Sequence, residues 1–497
     1  MRAGVLRRTI AAIGIAAVLA VTGCASAAPE RRDTGIAMFQ WTWDAIAAEC
    51  PTLGEAGVAW VLTSPPQEHV DGASVGTGSD GSEWWWSYQP VSYRVESRLG
   101  TRDELAAMTA ACDEAGVDVY ADAVINHMAG VGSGTGWAGT PFEHYRYPST
   151  GGAAVYDRAD FHDCDRTPDD DIDAYREPFV IQHCELEDLA DLATESEHVR
   201  ATIGAYLDDL LSLGVDGFRI DAAKHIDPDD VAAIVAALPE GTPVISEVIR
   251  GAGEPVQPEQ YTAFSTVWEF GWAERVGAFV HDGSARALAD LSPASYGLLE
   301  EQARTFIVNH DTERNDATLS YRDGAELSAA TAVMLASDDG MPTLYSGYAF
   351  SDRDQGPQLE PDGSVSDASC TGEEHPDVVA GDGWADRAWV CQHRWPGTLG
   401  LVAWRSRVVD APLTAVEAHT RDGMLGAAVS YARGSTGLAV VNVSEHRLVL
   451  AVPTALPDGM YCDAARPGCV RIGVEDGEAG IALEPWQAVA IDRFTRP

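Results

Sequence analysis

The stretch "GVDGFRIDAAKH" (214–225) passes from a glycine through a short, largely β-branched and apolar segment to Asp221. Three residues later comes Lys224, the only lysine in 497 residues. A run of this length and texture reads as a strand buried on both faces of a parallel sheet. Seven similar runs share the chain with it: "GIAMFQW" (35–41), "GVAWVLTS" (57–64), "GVDVYADAVIN" (116–126), "TPVISEV" (242–248), "STVWEF" (265–270), "RTFIVNHD" (304–311) and "MPTLYSGY" (341–348). Amphipathic segments such as "TRDELAAMTAACDEAG" and "SEHVRATIGAYLDDLLSLG" lie between them, each ending in the glycine that a helix C-cap favours. Eight strands alternating with helices predict a (β/α)₈ barrel of the α/β class.

Two regions depart from the alternation. Residues 126–191 turn rich in Gly, Asp and Pro and contain Cys164 and Cys184, which predicts a small domain inserted after the third strand. After Trp404 short alternating runs such as "LAVVNV", "RLVLAVP" and "AGIALEP" predict a C-terminal antiparallel β-sandwich over 406–497. The barrel itself then comprises 34–125 and 192–405.

Polar residues at the C-terminal ends of barrel strands face the open mouth, where this fold conducts chemistry. Four runs end in such groups: Asn126 with His127, Asp221, Glu247, and Asn309 with His310 and Asp311. A single acid at a strand end is ordinarily a helix N-cap; acids ending three strands, with His and Asn beside them, call for more than capping. Period-two alternation puts Arg219 and Asp221 on one side of their strand, where the cation favours an ionised carboxylate. Glu247 lies among Ile245, Val248 and Ile249, and apolar neighbours favour a protonated carboxyl. One ionised and one protonated carboxyl are the requirements of glycoside hydrolysis.

The motifs "DAVINH" (122–127), "GFRIDAAKH" (217–225), "EVI" (247–249) and "FIVNHD" (306–311) resemble, in order and spacing, the four signature segments of the alpha-amylase family, glycoside hydrolase family thirteen. Outside them "MFQWTWDAIAAEC", "SPPQEH", "WWSYQPVSY", "CELEDLADL", "NHDTERN" and "CQHRW" resemble animal-like and streptomycete alpha-amylases, from about Gly35 to the end of the chain. The resemblance implies Asp221 as nucleophile, Glu247 as general acid/base and Asp311 as the carboxylate that stabilises the transition state. It implies His127, Arg219 and His310 around the first sugar subsite, and Lys224 and His225 beyond the point of cleavage. Trp84, Trp85, Tyr88 and Gln89, in "WWWSYQP" (84–90), would line further glucose subsites, since the apolar faces of glucose rings pack on aromatic planes. Trp86 stands where related enzymes carry a charge.

The same resemblance implies a structural calcium ion, held by the Asn126 side chain, the Asp191 carboxylate and main-chain oxygens of Gln182 and His225. The acidic run "DDDID" (169–173) reads instead as a solvated loop. Of the family's chloride ligands Arg219 and Asn309 match two, but the basic third falls near Thr343, so chloride dependence is not expected.

A net charge of −44 excludes nucleic acid as a partner, because such binding requires clustered cations. Arg2, Arg7 and Arg8 precede an apolar run from Ile10 to Val21 and then "VTGCAS", which reads as a secretory signal over 1–23 with a bacterial lipobox. Membrane association is then expected only through lipid on Cys24; cleavage after "ASA" would instead release a free protein. The other eight cysteines suit an oxidising compartment. Resemblance and short spacing together select Cys50–Cys112, Cys164–Cys184, Cys370–Cys391 and Cys462–Cys469 as the pairs. The expectation is a monomeric, exported, endo-acting, retaining alpha-amylase cutting α-1,4-glucosidic bonds of starch, glycogen and maltooligosaccharides. A transglycosylating or maltogenic relative with the same triad, and an inactive surface glucan-binding protein, are the alternatives.

Overall fold

The computed structural model describes residues 31–76, 81–148, 156–292, 295, 297–370, 384–421 and 424–497. The proposed signal segment and Cys24 lie outside the described residues. Eight parallel strands form a closed barrel, numbered in chain order: β1 Gly35–Met38, β2 Trp60–Thr63, β3 Asp118–Ala123, β4 Gly217–Ile220, β5 Val244–Ser246, β6 Thr266–Trp268, β7 Ala303–Thr305 and β8 Met341–Ser346. Each pairs with its neighbours in sequence, and β1 closes the ring on β8, Gly35 standing opposite both Trp60 and Thr343. A side chain at Gly35 would collide with the Trp60 indole, whose ring stacks on Tyr120 at 4.7 Å.

The strands are shorter than their apolar runs. Asp221 and Glu247 directly follow β4 and β5, while Asn126, His127 and the Asn309–Asp311 triplet stand on the turns beyond β3 and β7. Both helix readings hold: Arg102–Glu114 begins with a capping box from Thr101 and Glu104, and Glu197–Ser212 buries Val199, Ile203, Tyr206, Leu207 and Leu210.

The excursion after β3 contains a hairpin of Ser133–Thr135 and Pro141–Glu143, a short helix Pro178–His183 and a small core around Cys164, Val180 and Cys184. Two four-stranded antiparallel sheets follow the helix Thr398–Val408 and enclose a second core, including Leu438, Tyr461, Ile481 and Ile491. Buried arginines join this sandwich and the helix before it to the base of the barrel. Arg405 makes two bonds to Asp33, at 2.8 and 2.9 Å, and donates to the carbonyls of Leu335 and Ser337. Arg433 donates to the carbonyls of Ala336, Ser337 and Ala411 and contacts Asp338. Carbonyls at the end of the helix Ala325–Ala336 thus find charged donors in place of water.

All four expected disulfides are present: Cys50–Cys112, Cys164–Cys184, Cys370–Cys391 and Cys462–Cys469. Bridges of this kind fit an extracellular protein. Among the described residues no helix is long and apolar enough to cross a membrane.

Candidate active site

The turns leaving β4 and β5 are laced together. Asp221 N–H donates to the Ala123 carbonyl, Glu247 N–H to that of Ile220, and Lys224 N–H to that of Glu247, extending the strand pairing past the strand ends. Ala222 sits in the left-handed region at φ 49°, an uncommon state for a residue with a Cβ. Its N–H donates to Glu247 Oε2 at 2.9 Å, so the backbone that carries Asp221 also grips Glu247.

Beneath these turns lies Arg219, with no solvent exposure. Its Nη1 donates to Asp221 Oδ1 and to Asp122 Oδ1, both at 2.6 Å, and Nη2 lies 2.5 Å from Glu247 Oε1. Tyr88 donates from its hydroxyl to the other Asp122 oxygen at 3.0 Å. Of the carboxyls, the sequence reading paired this cation with Asp221, and the fold divides it among three. Burial pushes Asp122 up to about 7 against the pull of Arg219. Burial likewise raises Asp221, Glu247 and Asp311, with Arg219 opposing each rise. One guanidinium cannot balance this many buried carboxylates, so protons remain in the group near neutrality. An ionised carboxylate beside a protonated acid is the state that glycoside hydrolysis uses.

Three histidines around the site are neutral. Burial holds His127 and His225 down to about 4 and puts His310 well below its ordinary value. His127 Nε2 donates to the Tyr88 carbonyl at 3.1 Å, and His225 Nδ1 to that of Ile181 at 3.0 Å. His310 stacks between Phe39 and Tyr88, at centroid distances of 4.8 and 5.2 Å.

Asp221, Glu247 and Asp311 all line one cleft of about 710 Å³. So do Trp84, Trp85, Tyr88, Gln89, His127, Lys224, His225 and His310. The Trp run divides: Trp84 and Trp85 reach the cleft, whereas Trp86 is fully buried and donates to Glu83 at 2.8 Å. Lys224 donates to the Ile249 carbonyl at 2.8 Å, pairs with Glu254, and lies 4.9 Å from the centre of the Tyr175 ring.

Sequence reasoning missed Asp122, Tyr175, Glu187, Glu254 and Arg353. Asp122 had a signal, since it shares the alternation of Val124 and Asn126 toward one face of the run. Glu254 had a weaker one in "GAGE": a side chain at Gly251 would occupy the place of the Glu254 carboxyl. Tyr175, Glu187 and Arg353 come from distant loops and left no local trace.

Of the expected calcium ligands, Asn126 and Asp191 meet where the inserted segment returns to β3, through Leu192 N–H donating to the Asn126 carbonyl and the bridge between His127 and Asp191. Gln182 lies on the helix whose Ile181 carbonyl accepts from His225. Asp191 is buried, contacts His162 Nδ1 at 2.6 Å, and is pushed up to about 7 by burial. Within the acidic run, Asp170 and Asp171 accept main-chain N–H bonds from Asp165 and Asp188 on the protein surface.

No protein-family model matches the chain. It is 39% identical to an alpha-amylase of Streptomyces violaceus over 98% of this chain and 79% of that one. It is 38% identical to an alpha-amylase of Thermomonospora curvata, over 95% and 75% of the two chains. The structure superposes on alpha-amylase I from Eisenia fetida with a TM-score of 0.81 and 29% identity, covering 93% of this chain and 97% of the other. A glutamate-to-glutamine variant of that Eisenia fetida enzyme, in complex with maltohexaose, matches with the same score.

The shared cation has a pH signature. Asp122, lifted to about 7, keeps a proton that the unfolded chain has already released near pH 4, so its contribution to stability is complete below the ordinary carboxylate range and is lost as pH rises through about 7. Arg219→Met raises all three carboxyls further. It is expected to cost roughly 3–5 kcal/mol near neutrality and less near pH 4, read from guanidinium unfolding across that range. A deficit that does not vary with pH would show that Arg219 does not govern these carboxyls.

Proposed function

The chain belongs to the alpha-amylase family of glycoside hydrolases, and we propose that it hydrolyses starch by an endo-acting, retaining reaction centred on Asp221, Glu247 and Asp311. The observation that carries this reading is the placement of all three acids on one cleft, with Arg219 beneath touching two of them. Ionised Asp221 attacks the anomeric carbon as Glu247 gives its proton to the departing glycosidic oxygen. The C–O bond breaks and a glycosyl ester forms. Water then attacks that carbon, Glu247 takes its proton, and Asp221 leaves as carboxylate. Asp311 bears on the positive charge that develops at the anomeric carbon in both steps.

Trp84, Trp85 and Tyr88 offer ring faces and edges to successive glucose units with Gln89 beside them, and His127, Arg219 and His310 surround the first subsite. Lys224 and His225 lie past the cut bond. The ammonium of Lys224 is a compact donor on a flexible stem, a role that a planar guanidinium fills poorly. The four disulfides support export of the protein.

We further propose a structural calcium ion held by the Asn126 side chain, the Asp191 carboxylate and the main-chain oxygens of Gln182 and His225. The donors are all oxygen, as a hard cation prefers. Asp191 fits the role because it is buried with His162, alone among the described residues, hydrogen-bonded to its carboxyl, so a nearby cation would favour the ionised form. Among the described residues no three His, Cys, Asp or Glu side chains converge on a metal position, and this set needs only one carboxylate. Bound calcium would fasten the inserted segment to β3 and to the turn after β4.

For chloride we propose no requirement. Arg219 Nε, Asn309 Nδ2 and Thr343 Oγ1 are buried without a hydrogen-bond partner among the described residues, but the only cation of the three already faces three carboxyls. An added anion would meet repulsion that Thr343 cannot offset.

Incubation with soluble starch is expected to release short maltooligosaccharides early, while Asp221→Asn loses at least roughly a thousandfold in rate. An undiminished Asp221→Asn variant would remove the assigned nucleophile, and products longer than the input oligosaccharide would show transfer in place of hydrolysis. Calcium chelation is expected to lower the melting temperature, with the effect reversed by calcium; at a hundred times its dissociation constant the ion contributes about 2.7 kcal/mol. A chelation response that Asp191→Asn leaves unchanged would place calcium elsewhere. Exchange of chloride for nitrate at fixed ionic strength is expected to leave the rate unchanged, and several-fold activation by chloride would refute that reading.

A further inference from the structure

Behind the cleft, on the turn after β7, lies a second buried arginine. We propose that Arg314 is a positioning residue for the reaction: from a box of aromatic rings it fixes the turn that carries His310 and Asp311 and presents a permanent positive charge behind that turn. The inference rests on the assignment of Asp311 as a carboxylate that acts in its ionised form.

The guanidinium carbon of Arg314 lies 5.1 Å from the ring centre of Phe39, 5.5 Å from Trp84, 5.2 Å from Tyr348 and 4.3 Å from Phe350. Phe39 and Trp84 also pack on the His310 imidazole, at 4.8 and 5.4 Å, so the cluster has two polar occupants. Arg314 joins them by donating from Nη1 to the His310 carbonyl at 2.9 Å. Its own N–H donates to the Asp311 carbonyl at 3.0 Å, so the residue holds the turn by side chain and by backbone. Asn309 secures the other side, its Oδ1 accepting from the N–H groups of Asp311 and Thr312 at 3.1 and 2.8 Å.

The charge is shielded from water and has one close carboxyl partner among the described residues, Glu313. Arg314 is almost wholly buried, and its Nε and Nη2 have no hydrogen-bond partner among the described residues. Glu313 accepts from Nη1 at 2.8 Å and also from the Tyr345 hydroxyl at 2.7 Å. Aromatic faces attract a desolvated cation, and in such surroundings its field is stronger than in water.

Asp311 depends on fields of this kind because the titratable group closest to it among the described residues, His310 Nε2 at 3.5 Å, is neutral. Arg219, Arg314 and Arg353 favour its ionised form, while burial and the Glu187 carboxylate of the inserted segment oppose it. Asp221 and Glu247 face it across the cleft, and Tyr88 also lies within its field. Arg353 is mostly exposed, so Arg314 and Arg219 are the two buried cations of this set.

Arg314→Gln alone would strand Glu313, so the test uses the pair Glu313→Gln/Arg314→Gln, which removes both partners' charges, together with Arg314→Lys. For the double variant on a maltooligosaccharide, kcat is expected to fall roughly tenfold or more with KM little changed. The acid limb of its kcat/KM profile is expected to move up by about half a pH unit or more. Arg314→Lys keeps the charge but loses the planar fork, so its acid limb stays at the wild-type position while kcat drops. The inference is overturned if the double variant keeps the wild-type kcat and limb, or loses rate only in proportion to its folded fraction by near-ultraviolet circular dichroism. Should the double variant fail to fold, Arg314→Lys decides alone: a displaced limb or an unchanged kcat overturns the inference. A wild-type rate that Asp221→Asn does not abolish would show that the triad assignment has failed, independently of Arg314.

Discussion

A guanidinium with no access to water holds this reaction centre together. Arg219 reaches Asp122, Asp221 and Glu247 from the end of one short strand, so three carboxyls from adjacent strands share a cation that can neither move away nor lose its proton. The charge is fixed and the proton count is not. In the proposed reaction that combination lets one carboxyl attack as an anion while another delivers a proton, although both touch the same arginine. An apolar pocket around Glu247, which its local sequence suggests, is therefore only part of the cause. Burial is the larger influence on its state, the Asp221 and Asp311 carboxylates add to it, and Arg219 and the N–H of Ala222 pull the other way.

The surroundings restrict movement more than they add charge. Main-chain bonds continue past β4 and β5, Asn309 and Arg314 brace the turn after β7, and Tyr88 fixes Asp122 from the side. Neutral histidines complete the ring as donors and stacking surfaces, adding no charge to a group whose balance is already narrow. Exposed acids elsewhere account for the large negative charge of the chain, and they bear little on a cleft whose own charges are buried and paired at close range.

Farther from the mouth, the barrel is joined to its additions by buried polar contacts. Arg405 and Arg433 meet carbonyls at the end of one barrel helix, with Asp33 and Asp338 as counter-charges. The inserted segment returns to β3 through the bridge between His127 and Asp191, beside residues that face the cleft. Whatever steadies that return also steadies His127, so the proposed calcium ion would act on the geometry of the site without taking a chemical step.

The sequence by itself determined the eight strands, the acids that end three of them, the excursion after the third and the sandwich at the end. Each is written in local chemistry: β-branched runs, helix caps, and acids or amides where an apolar run stops. With the family resemblance added, the disulfide pairs were legible too. Only the tertiary structure decided that Arg219 serves three carboxyls, that Trp86 turns inward while Trp84 and Trp85 face the cleft, that Lys224 meets Glu254 and Tyr175, and that Arg314 lies among four rings. Those contacts join residues brought together when β1 pairs with β8 and the loops fold over the mouth. A linear pattern records what each residue prefers, and barrel closure selects which residues become neighbours.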